Sequence, residues 1–197
     1  MEIQKLLKAR IGQFVDQYHG ESFRCSAYLY DNTFLPCVII RKNKKYIDLA
    51  CKRFEKELSE KDNSTSKFNS YREIVKIFAT YGNRIDESDI DFVEKSRFAT
   101  PNHLLDQIQC ETSMSWTAFV IEMNDGSFFS YGTSYRKEFF DLPENFSFSD
   151  VKELHTHSYV GKNNNIVKIK CGTNSFDEEY DLSKVYREKP FFICYID

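Results

Sequence analysis

The chain has little glycine and proline, 7 and 4 in 197 residues, and its glycines stand singly. No Gly-Lys-Ser/Thr run occurs, which excludes the backbone cradle of a phosphate-loop enzyme. The same scarcity excludes collagen-like and low-complexity chains. Long apolar runs are missing as well. The longest, Leu35 to Ile40 and Phe191 to Ile196, are strand-sized and well short of the ~20 residues that a membrane-crossing helix needs. There is no positive excess: the formal net charge is -3, so no overall field draws the molecule onto nucleic acid or an anionic membrane. The six cysteines (Cys25, Cys37, Cys51, Cys110, Cys171, Cys194) show no C-x-x-C spacing and mostly sit in apolar runs. They read as reduced, buried, small hydrophobes of a cytoplasmic protein. Met1 to Lys5 place an acidic residue where a secretion signal would carry a basic stretch before its apolar run, which predicts no signal peptide.

What is present supports a real core. Hydrophobic residues make up 41% of the chain and aromatics 16%. A chain of this length buries roughly 70% of its unfolded surface as one compact body. With no linker rich in Pro, Gly or Ser, the reading is a single domain over 1–197, in which a helical region 1–110 and a β-rich region 111–197 share one core.

Ile3, Leu6, Leu7, Phe14, Val15 and Tyr18 recur at helical spacing up to Gly20, which predicts an opening amphipathic helix. Arg24 to Tyr30 and Leu35 to Arg41 read as strands around Asp31-Asn32-Thr33, the second apolar on both faces as a central strand is. Ile47 to Leu58 gives a second helix, and the polar run from Ser59 to Ser66 an exposed loop. The capping box of Ser70 and Glu73 opens a third helix through Tyr81; Ser88 and Asp91 repeat the pattern for an acidic one, and Thr100-Pro101 opens another. After Cys110 the texture turns β-branched and aromatic. Trp116 to Met123, the turn Asn124-Asp125-Gly126 and Ser127 to Tyr131 form a hairpin. Ser147 to Leu154 reads as one or two helical turns, Val167 to Cys171 as a half-wet strand and Phe191 to Ile196 as a buried strand. The expected fold class is therefore α+β, a mainly antiparallel sheet of about five or six strands with helices, mostly from the N-terminal half, packed on it.

Few residues carry recognisable chemistry. Glu153-Leu154-His155-Thr156-His157 is the most suggestive pattern. In an extended chain alternate residues share a face, so Glu153, His155 and His157 would present a carboxylate and two imidazoles to a divalent metal. The His-x-His of JAMM-type metalloproteases needs a further serine and an anionic ligand, at positions held here by Asn165 and Lys168, and a lysine cannot replace an anionic ligand. Lys42, Lys44, Lys45, Lys52 and Arg53 form the most basic stretch, the candidate nucleic-acid face, with Asp48 and Glu55 interleaved. Aromatics crowd the hairpin and its exit, and Trp116, Phe128, Tyr131 and Tyr135 are the candidate partner-binding residues.

The resulting expectation is a non-enzymatic cytoplasmic interaction protein without cofactor, an accessory or regulatory subunit that recruits another protein by strand addition at the Trp116 hairpin or the Phe191 end. The alternative is a metal-dependent hydrolase or nuclease built on Glu153, His155 and His157.

Overall fold

The computed structural model describes residues 3–16, 20–42, 44–59, 83–108, 110–113, 115–134, 136–169 and 184–197. The helix expected from Ser70 to Tyr81, the polar run after Ser59, Cys171 and Tyr135 lie outside the described residues. The chain divides into two compact units, Met1–Lys95 with Phe191–Asp197, and Ser96–Pro190.

The first unit is built on one mixed sheet. After α1 (Ile3–Arg10) come β1 (Gln13–Asp16), β2 (Gly20–Leu29), β3 (Phe34–Lys42), α2 (Lys44–Ser59), β4 (Arg84–Ile85) and β5 (Ile90–Glu94), and β12 (Phe192–Ile196) closes it. The order is β1-β2-β3-β12-β4, with β5 on the same side of β2 as β1 but further along it. β12 runs parallel to both β3 and β4. It is buried between them, which accounts for its unbroken apolar run. Pro36 of β3 lies ahead of the β12 pairing, which begins at Val38, and beside the bulge between Cys25 and Ala27 of β2. Its missing N–H is thus taken out of the ladder, as a strand proline requires.

The core of this unit collects Leu6 and Leu7 of α1 with Phe23, Cys25, Val38, Ile40, Val93, Cys194 and Ile196. Burial pushes the Cys194 thiol up to about 12 and the Cys25 thiol higher still, so both are protonated packing groups at neutral pH.

The second unit holds α3 (Asn102–Leu105), β6 (Thr117–Met123), β7 (Phe128–Thr133), β8 (Val151–Thr156), β9 (Ser158–Val160), β10 (Ile166–Lys168) and β11 (Tyr186–Arg187). Its larger sheet has the order β11-β7-β6-β8, antiparallel except for β11, and β9 and β10 form a separate hairpin. One face of β6 and β7 carries Phe119, Ile121, Phe129 and Tyr131 onto Phe140, Leu142, Phe148 and Leu154. The other face reads Ala118, Val120 and Glu122 against Gly132, Ser130 and Phe128. Small residues there admit close neighbours: the Val160 amide donates to Ser130 Oγ at 2.8 Å, and the Trp116 indole lies on Gly132.

The structure corrects the expected fold class. Strands dominate: among the described residues there are twelve against three α-helices, in several sheets of mixed parallel and antiparallel pairing. Among the described residues the N-terminal half is itself strand-rich and supplies no helical layer on an antiparallel sheet. Three local reasons account for the difference. The opening helix stops at Arg10, and Phe14 and Val15 pair with Ser22 and Glu21 of β2, so pairing overrides their helical spacing. Gly20, with φ +70°, opens β2 instead of capping a helix. The helix expected from Ser88 is one 3₁₀ turn, Glu87–Asp89, capped by Asp86, and the turns expected from Ser147 reduce to one, Phe148–Asp150, after which Ile90–Glu94 and Val151–Thr156 run as strands. A short apolar segment with a good cap does not by spacing alone distinguish a helix from a turn leading into a strand.

Candidate functional site

The second unit contains an open cleft of about 800 Å³. Its position follows from the pairing of β7. On one side β7 pairs with β6 along its whole length, but on the other side β11 covers it only at Tyr131 and Gly132. Among the described residues no strand pairs with this edge ahead of Tyr131. The hydrogen bond from Met123 N–H to the Ser127 carbonyl closes the β6–β7 turn. Antiparallel alternation from that pair turns both backbone groups of Phe128 and the amide of Ser130 outward, along the edge that no described strand covers, while the Ser130 carbonyl faces β11. Phe128, Phe129 and Ser130 line the cleft, and Tyr186 joins them.

The rim of the cleft is charged. Lys162, Lys184, Arg187 and Lys189 contribute four cations against the carboxylates of Asp141 and Glu188. Lys189 Nζ lies 3.4 Å from Asp141, and Arg187 Nε lies 3.2 Å from Glu188. Among the described lining residues the formal charges sum to +2, in a molecule whose formal charge is -3. Such a field attracts acidic ligands and acts mainly on the rate of encounter.

The residues behind the cleft are held by packing. Tyr131 is fully buried, stacked on Phe119 at 5.3 Å and on Tyr186 at 5.3 Å, and its hydroxyl donates to the Asp141 carbonyl at 3.1 Å. Burial pushes its phenol far above the ordinary tyrosine value. Tyr131→Phe is expected to cost about 1 kcal/mol in a denaturant titration, the usual worth of one hydrogen bond. Trp116 is half-buried, in a tight loop where its carbonyl accepts from the Thr112 amide at 2.8 Å, and the Arg187 guanidinium stands 4.5 Å from its ring centroid. Of the four aromatics chosen from the sequence, Phe128 thus faces the cleft, Tyr131 and Trp116 sit among structural neighbours, and Tyr135 lies outside the described residues.

The Glu-x-His-x-His segment is divided by its backbone. Glu153 and His155 lie on β8 and share a face. His157 follows the strand end with φ +51°, which breaks the alternation, and its Nδ1 lies 2.9 Å from the Thr112 hydroxyl. In its place β6 brings Glu122, directly opposite Glu153. His155 Nε2 is 3.2 Å from Glu122 Oε2, and Lys152 Nζ donates to Glu122 Oε1 at 2.6 Å. Donation from Lys152 first, and from His155 second, holds the Glu122 carboxyl below its usual range. A lowered folded value stabilises the protein above the ordinary glutamate value of about 4.3, and this contribution fades as the pH falls through the lowered value. Glu122→Gln should therefore flatten the dependence of Tm on pH between about pH 5 and pH 3, measured in chelator-treated buffer.

The basic stretch is spread over a strand end and α2. Lys42 is paired with Glu21, Lys44 lies 4.0 Å from Glu87, Lys45 and Lys52 are exposed, and the Arg53 side chain lies outside the described residues. The Phe191 end is interior, since β12 has β3 on one side and β4 on the other.

Glu122, Tyr186 and the lysines at 162, 184 and 189 were not singled out in the sequence, whereas Phe129 belongs to the aromatic crowding noted at the hairpin. A signal existed for Glu122, the one charge within the apolar run of β6. The rim lysines gave none, because Lys162 is distant in the chain from Lys184 and Lys189 and only the fold gathers the three. Among the described residues no helix is long and apolar enough to cross a membrane. Comparison with protein-family models, with curated proteins and with solved structures gives no match for this chain.

Proposed function

We propose that the protein is a non-enzymatic interaction module, an accessory or regulatory subunit of a larger assembly, that holds an extended acidic segment of a partner protein along the uncovered edge of β7. One observation carries this reading: the cleft joins outward-facing backbone groups, an aromatic lining and a cationic rim along the same strand edge. Strand addition uses these three parts together. Main-chain hydrogen bonds supply affinity, alternate side chains enter the apolar floor, and rim charges select the sign of the partner. An acidic occupant is favoured because the described lining residues sum to +2 while the protein as a whole is negative. A cytoplasmic setting agrees with the free thiols of Cys25, Cys51, Cys110 and Cys194 among the described residues.

Selection from a displayed library of random peptides tests the proposal. Enrichment of acidic sequences with apolar residues at alternate positions is the expected result. Enrichment of basic or charge-neutral sequences, or none at all, would overturn it.

A further inference from the structure

Glu122 and Glu153 are cross-strand partners with their carboxylates on the same face, an arrangement of like charges that destabilises a sheet unless something lies between them. His155 is the same-face neighbour of both, with Nε2 3.2 Å from Glu122 Oε2 and Nδ1 3.9 Å from Glu153 Oε1. One donor atom from each residue can be chosen so that all three lie within 4.8 Å of one another. Donors bound to one zinc ion at about 2.0–2.2 Å are separated by about 3.4 Å in a tetrahedral site, so the Glu122–His155 pair already has nearly this spacing. Glu153 completes the set by a small swing, for which its 62% side-chain exposure leaves room.

Lys152 does not block the site. It binds Glu122 Oε1, leaving Oε2 toward the imidazole, and so orients the carboxylate as an outer partner orients a metal ligand. Two carboxylates and one ammonium leave the group one negative charge in excess when the imidazole is neutral. A divalent cation offsets that charge and separates the opposed oxygens. The imidazole donor favours a borderline transition ion over Mg²⁺ or Ca²⁺, which take oxygen ligands.

We infer that Glu122, Glu153 and His155 bind a divalent transition cation of the zinc class on the β6–β8 pair, with its remaining coordination positions open to solvent. The site goes beyond the cleft reading and stands or falls without it. His157 takes no part, because its left-handed backbone breaks the alternation that puts Glu153 and His155 on one face, and its ring nitrogens lie outside the donor set.

The experiment is a titration of chelator-treated full-length protein with Zn²⁺ alone, followed by calorimetry, and with Co²⁺, whose visible absorption reports a tetrahedral environment. One saturable equivalent is expected. Glu153→Gln, at an exposed position that leaves the fold intact, and His155→Ala should each weaken binding at least about tenfold and remove the Co²⁺ bands. His157→Ala should bind as the natural protein does; should that variant not fold, His157→Gln serves in its place. Absence of saturable binding overturns the inference. So does binding that Glu153→Gln and His155→Ala leave unchanged, or binding that depends on His157.

Discussion

Gly132→Ala is expected to destabilise the protein by about 3 kcal/mol, the upper end of the usual overpacking range, and to lower Tm by roughly 10 °C. Gly132 is buried in β7 and its φ is unexceptional, so the requirement for glycine is one of space. A Cβ there would overlap the indole Cζ2 of Trp116 and come to 2.7 Å from Cη2 and 2.9 Å from Cε2. These are ring atoms of a rigid side chain whose own backbone is tied to Thr112 and Ser113, not the far end of a flexible one. The Arg187 guanidinium rests by the same ring, and Arg187 is the β11 residue paired with Gly132. Pushing the indole away therefore disturbs the strand that forms one wall of the cleft. The double variant Gly132→Ala/Trp116→Ala should be more stable than the sum of the single effects by more than 1 kcal/mol, because truncating the indole removes the clash. Additive effects of the two substitutions would show that the clash is not what destabilises Gly132→Ala.

Reversing two rim charges, Lys162→Glu with Lys184→Glu, turns the summed charge of the described lining residues from +2 to -2. For an acidic peptide recovered by selection, affinity should fall about 10- to 100-fold at low salt, chiefly through slower association. The difference from the natural protein should shrink toward 0.5 M salt, where the Debye length is well below the ~8 Å of physiological buffer. Both side chains are exposed, so Tm should change little. An unchanged affinity at low salt would remove the electrostatic part of the account.

Parts of this site were legible in the sequence, and the failures have identifiable causes. The Asn124-Asp125-Gly126 turn marked the β6–β7 hairpin, and Gly126 has the positive φ, +87°, that such a turn uses. The aromatic crowding after Trp116 was visible, but its distribution was not. Phe139, Phe140 and Tyr131 are absorbed into the core, while Phe128 and Phe129 line the cleft. Period-two spacing placed Glu153 and His155 together and failed at His157, because one residue in the left-handed region ends the alternation. Glu122 opposite Glu153, and β11 beside β7, depend on register between segments distant in the chain, which local patterning does not encode. The same limit explains the fold class. The closing strand was recognised as buried, yet its parallel placement between β3 and β4 is a property of topology alone.

The most direct measurement is amide hydrogen exchange at Phe128 and Ser130, with and without a saturating acidic peptide from the selection. Addition of a strand to β7 predicts that exchange at these two amides slows by at least about tenfold while the interior amides of β6 are unaffected. Full peptide binding with unchanged exchange at both positions would contradict the account.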